Sequence, residues 1–197
     1  MINIPLSEQI RISLCGLRNS GKSSLMNNIF EKEVSIVSEY AGTTTDPVTR
    51  SMELGKLGPV SFSDTAGFDD TGELGELRIK KTKDILDISD IILFITRVDI
   101  EPTKEEINFL NKLKNSNKKF LVVLTFADKN ENEEKISLLK DFEVIKVNNL
   151  TKEGIPELKN KIIKIGDEIE YEITPVEGLV KENDFVLLVI PIDLAAP

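Results

Sequence analysis

Apolar positions along this chain follow two different spacings, and the change from one to the other marks the elements. Asp90-Ile91-Ile92-Leu93-Phe94-Ile95 and Phe120-Leu121-Val122-Val123-Leu124 are near-continuous apolar runs, the pattern of parallel strands covered on both faces. They are expected to be central strands. Arg11-Ile12-Ser13-Leu14-Cys15 reads as a first strand. Val60 and Phe62 alternate with Ser61 and Ser63, which predicts a strand covered on one face only, and Glu143 to Val147 reads as a short edge strand.

Between the strands the spacing becomes helical. Thr103-Lys104-Glu105-Glu106 fits a capping box ahead of Ile107, Leu110 and Leu113, which recur on one helix face. Asn132 to Lys140 and Ile155 to Ile165 carry similar patterns. Strand and helix in alternation predict a doubly wound α/β fold, a mostly parallel sheet of about six strands with helices on both faces. Ligands bind such sheets beyond the carboxyl ends of the strands. Residues 1–170 are expected to form this domain, and residues 171–197 a linker followed by one apolar strand, Phe185 to Asp193. That strand has little sequence left to cover it. It reads as the first strand of a further domain, as a sheet edge paired with a second copy, or as a seventh strand of the same sheet.

Composition narrows the chemistry. A single cysteine, Cys15, and no histidine exclude a disulfide framework and any Cys/His metal or iron–sulfur site within the chain. The formal net charge of −9 opposes non-specific attraction to a nucleic-acid backbone, so no nucleic-acid partner is expected. With no long apolar run and no leader-like start, no membrane segment is expected either, and the protein reads as cytoplasmic.

The motifs lie where an α/β sheet places ligands. Gly16-Leu17-Arg18-Asn19-Ser20-Gly21-Lys22-Ser23 matches G-x-x-x-x-G-K-[ST] between a predicted strand and a predicted helix from Ser24 to Phe30, the context of a phosphate-binding loop. Glycines let the backbone turn so that N–H groups converge on phosphate, helped by the helix N-terminus. Gly16, Asn19, Ser20, Gly21, Lys22, Ser23 and Ser24 are therefore expected nucleotide contacts. Lys22 would neutralise β- and γ-phosphate charge, and the Ser23 hydroxyl would ligate Mg²⁺.

Asp64-Thr65-Ala66-Gly67 follows a strand; Asp64 is suited to the Mg²⁺ shell and Gly67 to a γ-phosphate contact. The hydroxyl-rich Gly42-Thr43-Thr44-Thr45-Asp46 reads as a loop ordered by nucleotide. Asp128, beyond the Phe120 strand, can accept hydrogen bonds from guanine N1 and N2, which adenine does not offer, or can cap a helix.

Together these residues resemble the translation-factor-like GTPases of the Era and MnmE type, from about Ile10 to Ile165. Gly42-Thr43-Thr44-x-Asp46 is similar to the first switch of that family, which makes Thr44 a Mg²⁺ ligand. Asn19 matches the asparagine that holds K⁺ in potassium-activated members, where other GTPases use an arginine finger. Glu76 matches a glutamate proposed to orient water, while Phe68 stands where Ras-like proteins keep a glutamine. The base-reading Asn-Lys-x-Asp is replaced by Thr125-Phe126-Ala127-Asp128, and the Ser-Ala pair by Asn148-Asn149. Asn149 is thereby a nucleotide contact, and guanine affinity is expected to be weak.

A narrower resemblance is to the HydF family of [FeFe]-hydrogenase maturation GTPases. Its signatures are similar to Gly42-Thr43-Thr44-Thr45-Asp46-Pro47, to Asp64 through Arg78 and to Val189-Ile190-Pro191-Ile192-Asp193-Leu194. The last of these resembles the start of a dimerisation domain. This resemblance implies GTP and GDP as ligands and a homodimer in the full-length protein. It also implies radical-SAM maturases and the hydrogenase as partners, and an iron–sulfur domain lying outside these 197 residues. A nucleotide-gated scaffold with incidental hydrolysis and an RNA-related GTPase are the rival readings.

Overall fold

The structure is a computed structural model that describes residues 9–30, 39–40, 48–65, 80, 83–84 and 86–169. Among them seven strands form one sheet in the order β2-β3-β4-β1-β5-β6-β7. They are β1 (Ile10–Cys15), β2 (Glu39–Tyr40), β3 (Val48–Glu53), β4 (Pro59–Asp64), β5 (Ile91–Arg97), β6 (Lys119–Thr125) and β7 (Val144–Lys146). From β4 through β1, β5 and β6 to β7 every pairing is parallel, while β2 and β3 add antiparallel to the β4 edge. The expected six-stranded sheet is present, and the two-residue β2 extends it. No apolar pattern marks two residues whose order comes from pairing with Thr49 and Arg50.

Alternation along the central strands sorts side chains to two faces. Leu93, Ile95, Leu121 and Val123 point into a core shared with α1 (Lys22–Phe30) and the helix that carries Leu158 and Ile162. Ile92, Phe94, Val122 and Leu124 fill the opposite core with Leu110, Leu113 and Leu139. Further helices include α2 (Lys104–Lys114), α3 (Glu133–Leu139) and α4 (Ile155–Asp167). Covered on both faces, β5 and β6 must read as continuous apolar runs.

One expectation for β4 needs correction. Ser61, assigned to an uncovered face, is only 3% exposed. Its register partner on β3, Ser51, is also a buried hydroxyl and donates to Gln9 Oε1 at 2.8 Å, while on β1 Ser13, opposite Ser63, is buried and pairs with Ser89 at 2.5 Å. The predicted C-terminal strand from Phe185 to Asp193 lies outside the described residues.

The capping box on α2 is formed: Glu106 N–H donates to Thr103 Oγ1 at 3.3 Å and Thr103 N–H to Glu106 Oε2 at 3.0 Å. Its carboxylate has a second task. Lys135 of α3 brings its ammonium 2.7 Å from Glu106 Oε2 and 2.7 Å from Thr96 Oγ1, and Thr96 in turn donates to Glu106 Oε1. The side chains of Lys135 and Glu106 are 2% and 3% exposed. This buried pair fastens two helices to the end of β5, and removing one partner strands the other charge away from water.

Lys135→Met is therefore expected to lower unfolding stability by about 3–5 kcal/mol. Adding Glu106→Gln, which keeps the helix cap, is expected to recover at least half of the loss in urea unfolding. Strictly additive losses would show that the two charges are not coupled.

Candidate nucleotide-binding site

The parallel strands deliver their following loops to one edge of the sheet. After β1 the backbone turns at Gly16, where a Cβ would lie 2.1 Å from the Ile95 carbonyl oxygen, so only glycine fits beside β5. Asn19 and Gly21 take positive φ values of 58° and 90°, the left-handed conformations that let adjacent N–H groups face one concavity. α1 begins at Lys22 and adds the positive end of its dipole there. Lys22 is buried to 8% exposure, and its ammonium donates to Gly16 O at 3.2 Å and to Leu17 O at 2.7 Å. The cation thus sits at the loop its phosphate would enter.

Ser23 and Asp64 meet across the same opening. The Ser23 hydroxyl donates to Asp64 Oδ2 at 2.6 Å. Thr65 locks the turn after β4, its hydroxyl donating to Leu14 O at 2.7 Å and its N–H to the same oxygen at 3.1 Å. Burial raises the Asp64 pKa above its ordinary value, while the Ser23 hydrogen bond and the Lys22 charge pull it down. Asp64 Oδ1 is buried without a hydrogen-bond partner. A desolvated carboxylate with an unsatisfied oxygen beside a serine hydroxyl suits a hard divalent cation. Ser23 and Asp64 thus fit the Mg²⁺ role expected of them. Neighbouring Cys15 is not part of this chemistry: burial pushes its thiol up to about 12, leaving almost no thiolate near neutral pH.

The loop after β6 is held by a contact that no sequence motif signals. Thr125, at the end of β6, places its hydroxyl 2.7 Å from Ser20 O and 3.1 Å from Thr96 O. It stands where the resemblance puts the family asparagine and ties the loop after β6 to the phosphate loop. Its place at a strand end three residues before Asp128 is the available signal, obscured because threonine is a common strand residue. Asn149 Nδ2 donates to Gly21 O at 3.3 Å, and Asn28 donates to the Asn149 carbonyl oxygen at 2.9 Å. The loop after β7 is thereby joined to α1.

Gly16, Ser20, Gly21, Lys22, Ser23, Asp64 and Asn149 are therefore gathered at one place. Asn19 and Ser24 lie exposed on the same loop and helix start. Asp128 stands at the β6 end with its side chain 29% exposed, 3.3 Å from Lys129 Nζ. Thr44, Gly67 and Glu76 fall outside the described residues.

The sequence matches the family described as 50S ribosome-binding GTPase over residues 11–126, more than half of the chain. The chain belongs to that GTPase family. It is 33% identical over 164 residues to the tRNA modification GTPase MnmE of a Thermoanaerobacter strain, covering 81% of this chain and 35% of the relative. The MnmE of Lactococcus lactis subsp. cremoris is 30% identical over 206 residues, covering 96% of this chain and 44% of the relative. The chain thus spans less than half the length of these relatives.

Among solved structures, an Aquifex aeolicus Era variant bound to GDP·AlF4⁻ matches with a TM-score of 0.63 and 29% identity, over 81% of this chain and 57% of that one. Era in complex with MgGDPNP and a segment of 16S ribosomal RNA matches with a TM-score of 0.63 and 28% identity, over 84% of this chain and 59% of that one. The G domain of the T. maritima FeoB iron transporter shares the fold, with a TM-score of 0.58 at 22% identity over 80% of this chain and 99% of that one. The resemblance to Era- and MnmE-type GTPases holds at the level of the domain. Among the described residues no helix is long and apolar enough to cross a membrane.

Asp64→Asn separates the two consequences of burying this carboxylate. Because the folded-state pKa is raised, the native protein binds the proton more tightly than the unfolded chain, and the stability contribution of this group falls as pH rises through that range. Neutralising it is expected to raise the melting temperature of the ion-free protein at pH 7 while removing the enhancement of nucleotide affinity by Mg²⁺. In the native chain that enhancement fades on acidification, as Asp64 is protonated at a pH above the ordinary carboxylate value. A lower melting temperature in Asp64→Asn, or an intact Mg²⁺ effect, contradicts this account.

Proposed function

We propose that this domain binds GTP with Mg²⁺ and hydrolyses it slowly, with K⁺ stimulation, and that this cycle controls a scaffold or carrier in [FeFe]-hydrogenase cofactor assembly. The observation that carries the catalytic part is the meeting of Lys22, Ser23 and Asp64 under one left-handed loop. Lys22 leaves the Gly16 and Leu17 carbonyl oxygens to neutralise phosphate, and the loop amides orient the γ-phosphate for in-line attack by water. Ser23 and Asp64 hold Mg²⁺, joined by Thr44. Bound Mg²⁺ supplies charge neutralisation on the phosphates.

Asn19, exposed at a left-handed position, holds K⁺ in this reading and Glu76 orients water. Asp128 and Asn149 serve the base side. The absence of a water-positioning glutamine, with Phe68 in its place, supports slow turnover.

The narrower role rests on the HydF-like motifs in both switches and at Val189 to Leu194. It carries with it a homodimer of the full-length protein, a dimerisation domain from residue 171 onward, contact with radical-SAM maturases and the hydrogenase, and a cytoplasmic location. A second reading is favoured by the relatives themselves: MnmE is named for tRNA modification and one Era structure contains ribosomal RNA. The net charge of −9 weighs against RNA as a partner of this domain. A nucleotide-gated scaffold with incidental hydrolysis is the remaining alternative.

Steady-state hydrolysis of GTP with Mg²⁺, compared in KCl and NaCl at equal ionic strength, is expected to be faster in KCl and lost in Lys22→Ala. Equal rates in both salts remove the K⁺ assignment at Asn19, and GTP binding without turnover leaves the gated scaffold. In cells, Lys22→Ala in the full-length protein is expected to leave hydrogenase inactive and tRNA modification unchanged; the opposite pattern selects the RNA-related reading.

A further inference from the structure

The residue that replaces the family lysine beside Asp128 is an aromatic ring in an uncommon backbone state. Phe126 has φ of 57°, a conformation that bulky residues avoid unless the surrounding structure enforces it. Thr125 on its N-terminal side is fixed to the phosphate loop through Ser20, and Lys129 N–H closes a turn onto Phe126 O at 2.9 Å. The ring is thereby placed against that loop: Phe126 Cε2 would lie 3.6 Å from a Cβ on Gly21. It is partly exposed.

A second group backs the ring. The Arg97 guanidinium carbon lies 3.9 Å from the ring centroid, within cation–π range. That guanidinium is itself held flat by a two-pronged contact with Asp99, Nε to Oδ1 at 3.0 Å and Nη2 to Oδ2 at 2.8 Å. The hydrogen bonds from Arg97 hold the Asp99 carboxyl below its usual range. Arginine therefore covers one face of Phe126, and the ring as a whole stays partly exposed beside the phosphate loop.

We propose that Phe126, backed by Arg97 and Asp99, is the platform on which the nucleobase stacks, taking the place of the family lysine as the main source of base affinity. This rests on the nucleotide-binding reading of the phosphate loop and deepens it. Every base has a π-face, so stacking supplies affinity without selectivity, and choice between purines falls to the carboxylate of Asp128. Binding energy at the base then depends on a ring, and its cation backing makes Arg97 a positioning residue.

The chain contains no tryptophan, which makes a direct optical test possible. In the full chain carrying Phe126→Trp, GDP with Mg²⁺ is expected to quench the indole emission on saturation, whereas inorganic tripolyphosphate, which has no base, binds without quenching. In parallel, Phe126→Ala is expected to weaken GDP at least tenfold and leave tripolyphosphate affinity within twofold, Phe126→Tyr to retain GDP affinity, and Arg97→Ala to weaken GDP alone.

An unquenched indole with GDP bound, or equal weakening of GDP and tripolyphosphate in Phe126→Ala, overturns the platform. The second of these outcomes would mean that the ring only supports the phosphate loop. If the unmodified chain binds neither GDP nor tripolyphosphate, the nucleotide-binding reading fails and the platform fails with it.

Discussion

Gly16 lies so close to the Ile95 carbonyl that a single added carbon would stand 2.1 Å from that oxygen, and this approach fixes where the phosphate loop begins. Because β1 and β5 are paired parallel, with Cys15 opposite Phe94, the loop starts at the carboxyl edge and cannot slide along it. From there the left-handed residues Asn19 and Gly21 bring the chain round to α1. Lys22 then reaches back to Gly16 and Leu17, and Ser23 reaches across to Asp64. A phosphate contact and a cation site both follow from one tight backbone path.

The proposed base half of the site depends on that same path. Thr125 binds Ser20 O and Asn149 binds Gly21 O, so the loops after β6 and β7 are positioned by the phosphate loop rather than independently of it. Around them, Lys135, Glu106 and Thr96 form a buried charged cluster that fixes α2 and α3 to the end of β5. A buried ion pair adds little net stability relative to an apolar core, but it penalises any packing that separates its members. The edge carrying Arg97, Asp99 and Phe126 is thereby anchored from below.

Much of this was legible in the residues. β5 and β6 read as buried strands because both faces are covered, the Thr103–Glu106 capping box is a local signal, and the phosphate loop is a contiguous motif between a strand and a helix. What escaped the reading was long-range. β2 has two residues and no apolar pattern; Ser61 is buried beside Ser51 of β3; Glu106 reads locally as half of a capping box, whereas its ionic partner Lys135 lies 29 positions away. Thr125 was noted only as a departure from Asn-Lys-x-Asp. A hydroxyl donating to a loop carbonyl 105 positions away is invisible to spacing, yet it ties the loop after β6 to the phosphate loop.

The account stands on the claim that this anchored but divergent edge still recognises a guanine nucleotide, with Asp128 supplying the choice of base. The most direct test is an equilibrium titration of the chain with GDP and with ADP, each with Mg²⁺. Stacking and phosphate contacts are common to both ligands, and an unpaired Asp128 penalises adenine. The account predicts that GDP binds at least tenfold more tightly than ADP, and equal affinity for the two would contradict it.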